Sequence, residues 1–148
     1  MGTRREPTVP PIFRAFLAAA AAVVGSGLQA FGFEHASTAV HGRECVVTYR
    51  RSGHVTVQVL YEPGGTPWFM LTFALPPGGD RPSFEAPLTT MVERRCPEAR
   101  LSSLTTEAGG EQDLRRVLSE AVGVLKSHFE DALVADAETA LGLRAEFA

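Results

Sequence analysis

Residues 43–75 read RECVVTYRRSGHVTVQVLYEPGGTPWFMLTFAL, three β-strands in succession joined by two tight connections. In the middle run Val55, Val57, Val59 and Tyr61 alternate with His54, Thr56, Gln58 and Leu60. That period of two is the signature of a strand with one buried face. Upstream, Cys45, Val47 and Tyr49 alternate with Val46, Thr48 and Arg50, and Arg51-Ser52-Gly53 is a hairpin loop with a glycine free to take positive φ. Downstream, Pro63-Gly64-Gly65-Thr66 turns the chain into Phe69, Leu71, Phe73 and Leu75, which alternate with Trp68, Met70, Thr72 and Ala74. Three such runs at hairpin spacing predict an antiparallel meander.

Outward from this centre, Phe33 to Val40 predicts a fourth, weaker strand ending at His41-Gly42. Before it, Phe13, Phe16/Leu17, Ala20, Val23/Val24, Leu28 and Phe31 recur at three-to-four spacing and predict a core helix over 11–31, stopped by Gly32. The same segment has a second reading. Ala15 to Phe33 carries no charge and follows Arg4, Arg5 and Arg14, so residues 11–30 also fit a signal peptide or membrane anchor. Against that stand Gly25, Ser26, Gly27 and Gln29, poor residues for a span. Residues 1–10, polar and proline-rich, predict a flexible tail, and 11–148 a single domain.

Beyond the meander, 76–84 is dense in Pro and Gly and predicts a loop. Pro87 opens a helix with Leu88, Met91, Val92 and Cys96 on one side, stopped by Pro97. Leu101 and Leu104 anchor an irregular stretch. Then Leu114, Val117/Leu118, Ala121/Val122, Leu125, Phe129 and Leu133 form the stripe of the longest helix, with acids in its first turn. Asp136 caps or breaks a last helical piece containing Leu141. The expected fold class is α+β: a three- to four-stranded antiparallel meander with an N-terminal helix and two to three C-terminal helices packed on it.

Composition narrows function. The 148 residues suffice for one core, and 45% hydrophobic content with 21% charged residues argues against disorder. A net charge of −3 with no dense Lys/Arg run argues against nucleic acid as a partner. Lys126 is the only lysine among 14 basic residues. With so much Ala and Gly, that bias reads as a GC-rich bacterial genome. Cys45 and Cys96 match no metal-binding spacing and read as reduced core thiols in a cytoplasmic protein; export would make a Cys45–Cys96 bridge the better reading. His35, His41, His54 and His128 belong to no metal motif, no serine sits in a nucleophile elbow, and no Gly-Gly pair is followed by a phosphate loop's Lys-Ser/Thr. No catalytic, cofactor-binding or metal-binding residue is therefore named.

One feature stands above background. If Val55, Val57, Val59, Tyr61, Phe69, Leu71 and Phe73 face the helices, Trp68, Met70 and Leu60 lie on the other face, with Arg50 and Arg43 in the neighbourhood. Trp, Met and Arg are enriched at protein interfaces, so these five are the candidate partner-binding residues. The alternative is a cover from within the chain, such as the N-terminal helix.

The helix ending in Gly32-Phe33, the meander and the long helix EQDLRRVLSEAVGVLKSHFEDAL together resemble the small single-domain immunity proteins found beside bacterial polymorphic toxins. The resemblance covers most of the chain but rests on architecture, with no diagnostic motif. It implies a catalytically inert cytoplasmic binder that sequesters one protein partner, a toxin, and it carries over no site residues. A non-enzymatic protein-binding module is the leading expectation. The rival is an exported or envelope-associated protein with residues 11–30 as its signal or anchor, and behind both stands a small enzyme with a dispersed site.

Overall fold

The computed structural model describes residues 9–51, 55–74, 83–104 and 110–148. Most of the expected tail, the tip of the 51–53 hairpin loop with His54, Leu75 and most of the 76–84 loop lie outside the described residues. The chain builds α1 (Pro11–Gln29), β1 (Glu34–His41), β2 (Glu44–Arg50), β3 (Val55–Tyr61), β4 (Trp68–Phe73), β5 (Phe84–Pro87), α2 (Leu88–Arg95), α3 (Glu111–His128), α4 (Glu130–Leu133) and α5 (Ala137–Phe147). The strands form one sheet in the order β1-β2-β3-β4-β5, antiparallel throughout. The class is α+β, with the helices gathered over the core face of the sheet.

The meander alternates as its sequence requires. Val55, Val57, Val59, Tyr61, Phe69, Leu71 and Phe73 all face the core, none more than 5% exposed. Cys45, Val47 and Tyr49 join them from β2. The sheet has five strands, one more than the upper expectation, because Phe84–Pro87 pairs with β4 instead of belonging to the loop. Pro87 is tolerated there since β5 is an edge strand and the lost N–H is not needed by a further neighbour. At the opposite edge β1 is exposed along nearly its whole length, which explains its faint hydrophobic pattern. Its register shifts between His35 and Ser37, an irregularity of the kind that blunts an open edge.

Helix α1 is an integral part of the core. Phe13, Phe16, Ala19, Ala20, Val24 and Leu28 are buried. A stripe repeating every four residues (16, 20, 24, 28) would drift around a helix of about 3.6 residues per turn by some 40° per repeat. A wider, π-type turn over Ala20–Gly25 offsets that drift and keeps the stripe on the core. The helix ends as expected: Gly32 takes φ +87°, and the Phe33 N–H reaches back to the Leu28 carbonyl at 3.3 Å.

Helix α1 also packs on α3, closely enough that Gly27 has no room for a side chain. A Cβ there would stand 2.7 Å from Val122 Cγ1, a β-branched side chain with little rotamer freedom in a helix. Gly27→Ala is therefore expected to destabilise the protein by about 1–2 kcal/mol, overpacking outweighing the propensity gain. Gly123, in α3 with open space around its Cα, supplies the control: Gly123→Ala should stabilise by up to about 1 kcal/mol. Urea melts of both variants check the opposite signs. Equal stabilisation in both would mean that α1 does not approach α3 so closely.

The long stripe from Leu114 to Leu133 is buried as expected, but it spans two helices, since Phe129 leaves helical geometry at φ −131°. Asp136 then caps α5, its carboxylate accepting from Thr139 N–H at 2.8 Å. His128 is exposed, and its carbonyl accepts a 2.9 Å bond from Arg95. Arg95 ties the C-terminal helices together. Its guanidinium makes forked bonds to both Asp131 and Glu146 and lies over the rings of Phe129 and Phe147, at 5.1 and 5.2 Å from their centroids.

Both cysteines are free and buried, and burial pushes both thiols up from their usual range. A thiol reagent is expected to react slowly with the native protein and to find two groups per chain after denaturation without reductant. Fewer than two would reveal a bridge.

Burial also pushes Tyr49 up to about 12, and Tyr61 upward, opposed in Tyr61 by a backbone bond from Gly64. Their folded values exceed the unfolded value of about 10, so the neutral phenols' contribution to stability is fully present below about pH 10. It is lost as pH rises towards 12. Ultraviolet titration of these two tyrosines should show Tyr49 ionising in step with alkaline unfolding. Ionisation of both near pH 10 in the folded protein would contradict their burial.

Candidate functional site

Strand register places the candidate residues in rows across the face opposite the core. One row is Ala39, Val46, Leu60 and Trp68, each directly opposite the next on the neighbouring strand. The next is Ser37, Thr48, Gln58, Met70 and Pro87. A third is Glu34, Arg50, Thr56, Thr72 and Glu85. Leu60 and Met70 are half-buried, as strand side chains facing solvent among neighbours are, and Trp68 is 42% exposed. The N-terminal helix does not cover this side: its Phe16 stacks instead on Tyr61, on the core face, with centroids 4.7 Å apart. Among the described residues Thr48 is the one buried polar residue of the open face, and it accepts a bond from Gln58 Nε2 at 3.3 Å.

Trp68, Leu60 and Met70 are thus brought together. Trp68 faces Leu60 directly, with Met70 one row along. Arg50 is not. It shares the open face but lies two rows from Trp68, about 13 Å along the strands at a rise of about 3.3 Å per residue, and two strands across. Arg43 is in the turn between β1 and β2, where Gly42 takes φ +62°, next to Glu44 at the Trp68 end of β2, and it does not line the cavity that Trp68 shares with Glu44 and Glu62.

The charges beside Trp68 are acidic. Glu44 begins β2 just before Cys45, and Glu62 follows Tyr61, the partner of Cys45, so both glutamates lie at the same end of the β2–β3 pair. Glu44, Glu62, Leu60 and Trp68 line one open cavity of about 340 Å³. The signal for these acids was present in the alternation, since 44 and 62 share parity with 46 and 60, but parity alone does not show which row a residue joins.

A second cavity, about 220 Å³, lies on the other side of Trp68 between β4, α2 and α3, with apolar walls from Pro67, Phe69, Leu88 and Val117. Among the described residues its hydroxyl-bearing lining is Thr66, Thr89, Ser102 and Ser103, with no acid, base or thiol. His35, the most engaged histidine, bonds to Thr38 and meets the edge of the Tyr49 ring. Among the described residues no three His, Cys, Asp or Glu side chains gather where they could hold a metal ion. No protein-family model matches the chain, and no curated protein or solved structure is significantly similar to it.

Proposed function

We propose that this is a non-enzymatic protein-binding module that docks one protein partner on the open face of its sheet, centred on Trp68. The observation that supports this is the exposure of a tryptophan on a regular strand, flanked by Leu60 and Met70, while its neighbour Phe69 is buried. A large, stiff apolar side chain held outward by strand alternation exposes surface that folding does not use, and such residues anchor interfaces. The immunity-like role, cytoplasmic sequestration of a toxin, is the form of this function that the resemblance read in the sequence implies. Affinity capture from the native host, with the wild-type protein and Trp68→Ala as parallel baits, tests it. A partner held by the first and lost by the second is expected; a partner held equally by both moves the interface elsewhere.

A second reading keeps the N-terminal helix as a targeting segment, since Pro11–Gln29 is long and apolar enough to cross a membrane, with a third of the span buried. The cytoplasmic reading is favoured by what that burial consists of: Phe13, Phe16, Val24 and Leu28 are core residues, and cleavage after them would strip the sheet of its cover. Mass spectrometry of protein from its host is expected to find residues 11–29 in the soluble fraction.

A further inference from the structure

We propose that the partner of this face presents a basic protein segment, seating an arginine or lysine between Glu44 and Glu62 with its side chain against Trp68. The proposal rests on the reading of the open face as a docking surface and names the chemistry of what docks there. Glu44 and Glu62 flank the paired residues Cys45 and Tyr61 at one end of β2 and β3 and line one cavity, a like-charge juxtaposition that costs stability. Neither forms an ion pair among the described residues, although His41 is opposite Glu44 and Arg43 precedes it. Glu111, Asp113, Asp131 and Glu146, by contrast, engage Arg115, Arg116 and Arg95. The protein thus leaves uncompensated the two carboxylates that share a cavity with its exposed tryptophan.

The three groups are complementary to one kind of side chain. A guanidinium fork can bond two carboxylates while its plane lies on an indole, and an ammonium does the same as a point charge. The apolar row through Val46 and Leu60 continues from this spot across the sheet, so a cation with apolar neighbours, carried on an extended segment or a loop, matches the face as a whole. A net charge of −3 adds a weak long-range attraction of the same sign.

Trp68 is the only tryptophan, so its fluorescence reports on this face without a label. The full chain is titrated with a short blocked peptide alternating Arg with Val, with the counterparts carrying Ser or Glu in place of Arg, and with spermidine. The expected result is a saturable blue shift with the Arg peptide alone. Its affinity should fall at least tenfold in the Glu44→Gln/Glu62→Gln variant, and also on raising ionic strength from about 0.01 to 0.15 M, which shortens the Debye length from about 30 to 8 Å. The same variant should melt no lower than the wild type, because it removes a repulsion. Equal binding by the Ser or Glu peptide, or unchanged binding by the double variant, overturns the charge assignment while leaving the docking face standing. Spermidine binding as tightly as the Arg peptide overturns it in favour of a small polycation. If no peptide moves the Trp68 emission, the docking face falls along with the inference.

Discussion

Phe16→Ala is expected to destabilise the protein by about 3–5 kcal/mol, the usual loss for a buried aromatic truncated in a core. Phe16 is fully buried and stacked on Tyr61 at an interplanar angle of 17°, at the crossing of α1 with the sheet. Removing the ring takes away both its apolar burial and the face-to-face contact, and it leaves a cavity that the neighbours cannot close. Against a total stability of order 5–15 kcal/mol for a domain, this is a large fraction, and the melting temperature should drop by roughly 10 °C. Chemical denaturation with unchanged m-value would assign the loss to the native state. A change below about 1 kcal/mol would instead show that α1 is dispensable to the domain, and residues 11–29 would then be free to act as a targeting segment.

Trp68→Ala and Phe69→Ala form the second test, in which adjacent residues should have opposite consequences. Phe69 is 5% exposed and Trp68 42% exposed, because successive strand side chains point to opposite faces. Phe69→Ala should therefore destabilise by about 3–5 kcal/mol, whereas Trp68→Ala should change stability by less than about 1 kcal/mol. In binding the order reverses. Truncating an anchoring tryptophan commonly removes about 2 kcal/mol or more, a weakening of roughly 30-fold. Thermal melts and titration calorimetry with the captured partner measure both quantities on the same protein. A large drop in melting temperature for Trp68→Ala would make it a core residue and end the case for this face.

Much of the architecture was legible because its elements are written in local patterns. The alternation of β2 to β4, the glycine stop at Gly32, the cap at Asp136 and the two-sided character of Trp68 and Phe69 each follow from residues a few positions apart. Three features were not legible, each for a physical reason. Four residues ending in proline carry too little alternation to announce β5; the strand exists because β4 offers it an edge. The stripe from Leu114 to Leu133 looks like one helix because Phe129 is buried from either side of the break, so periodicity survives the interruption. The charges of the candidate site were only partly legible: Arg50 lies two rows from Trp68, and Glu44 and Glu62, not Arg43, line the cavity beside it.

That last difference marks the boundary between the two kinds of information. The sequence by itself determined which face of the sheet each strand residue occupies, since a period of two is a property of the extended backbone. Which residues share a row across that face depends on register, and register is decided by how the hairpin connections and the packed core align one strand with the next. A shift of two residues would leave every side chain on the same face and yet place a different neighbour beside Trp68. Only the tertiary structure makes that choice, and it is the choice that sets Glu44 and Glu62 in the cavity beside the exposed indole.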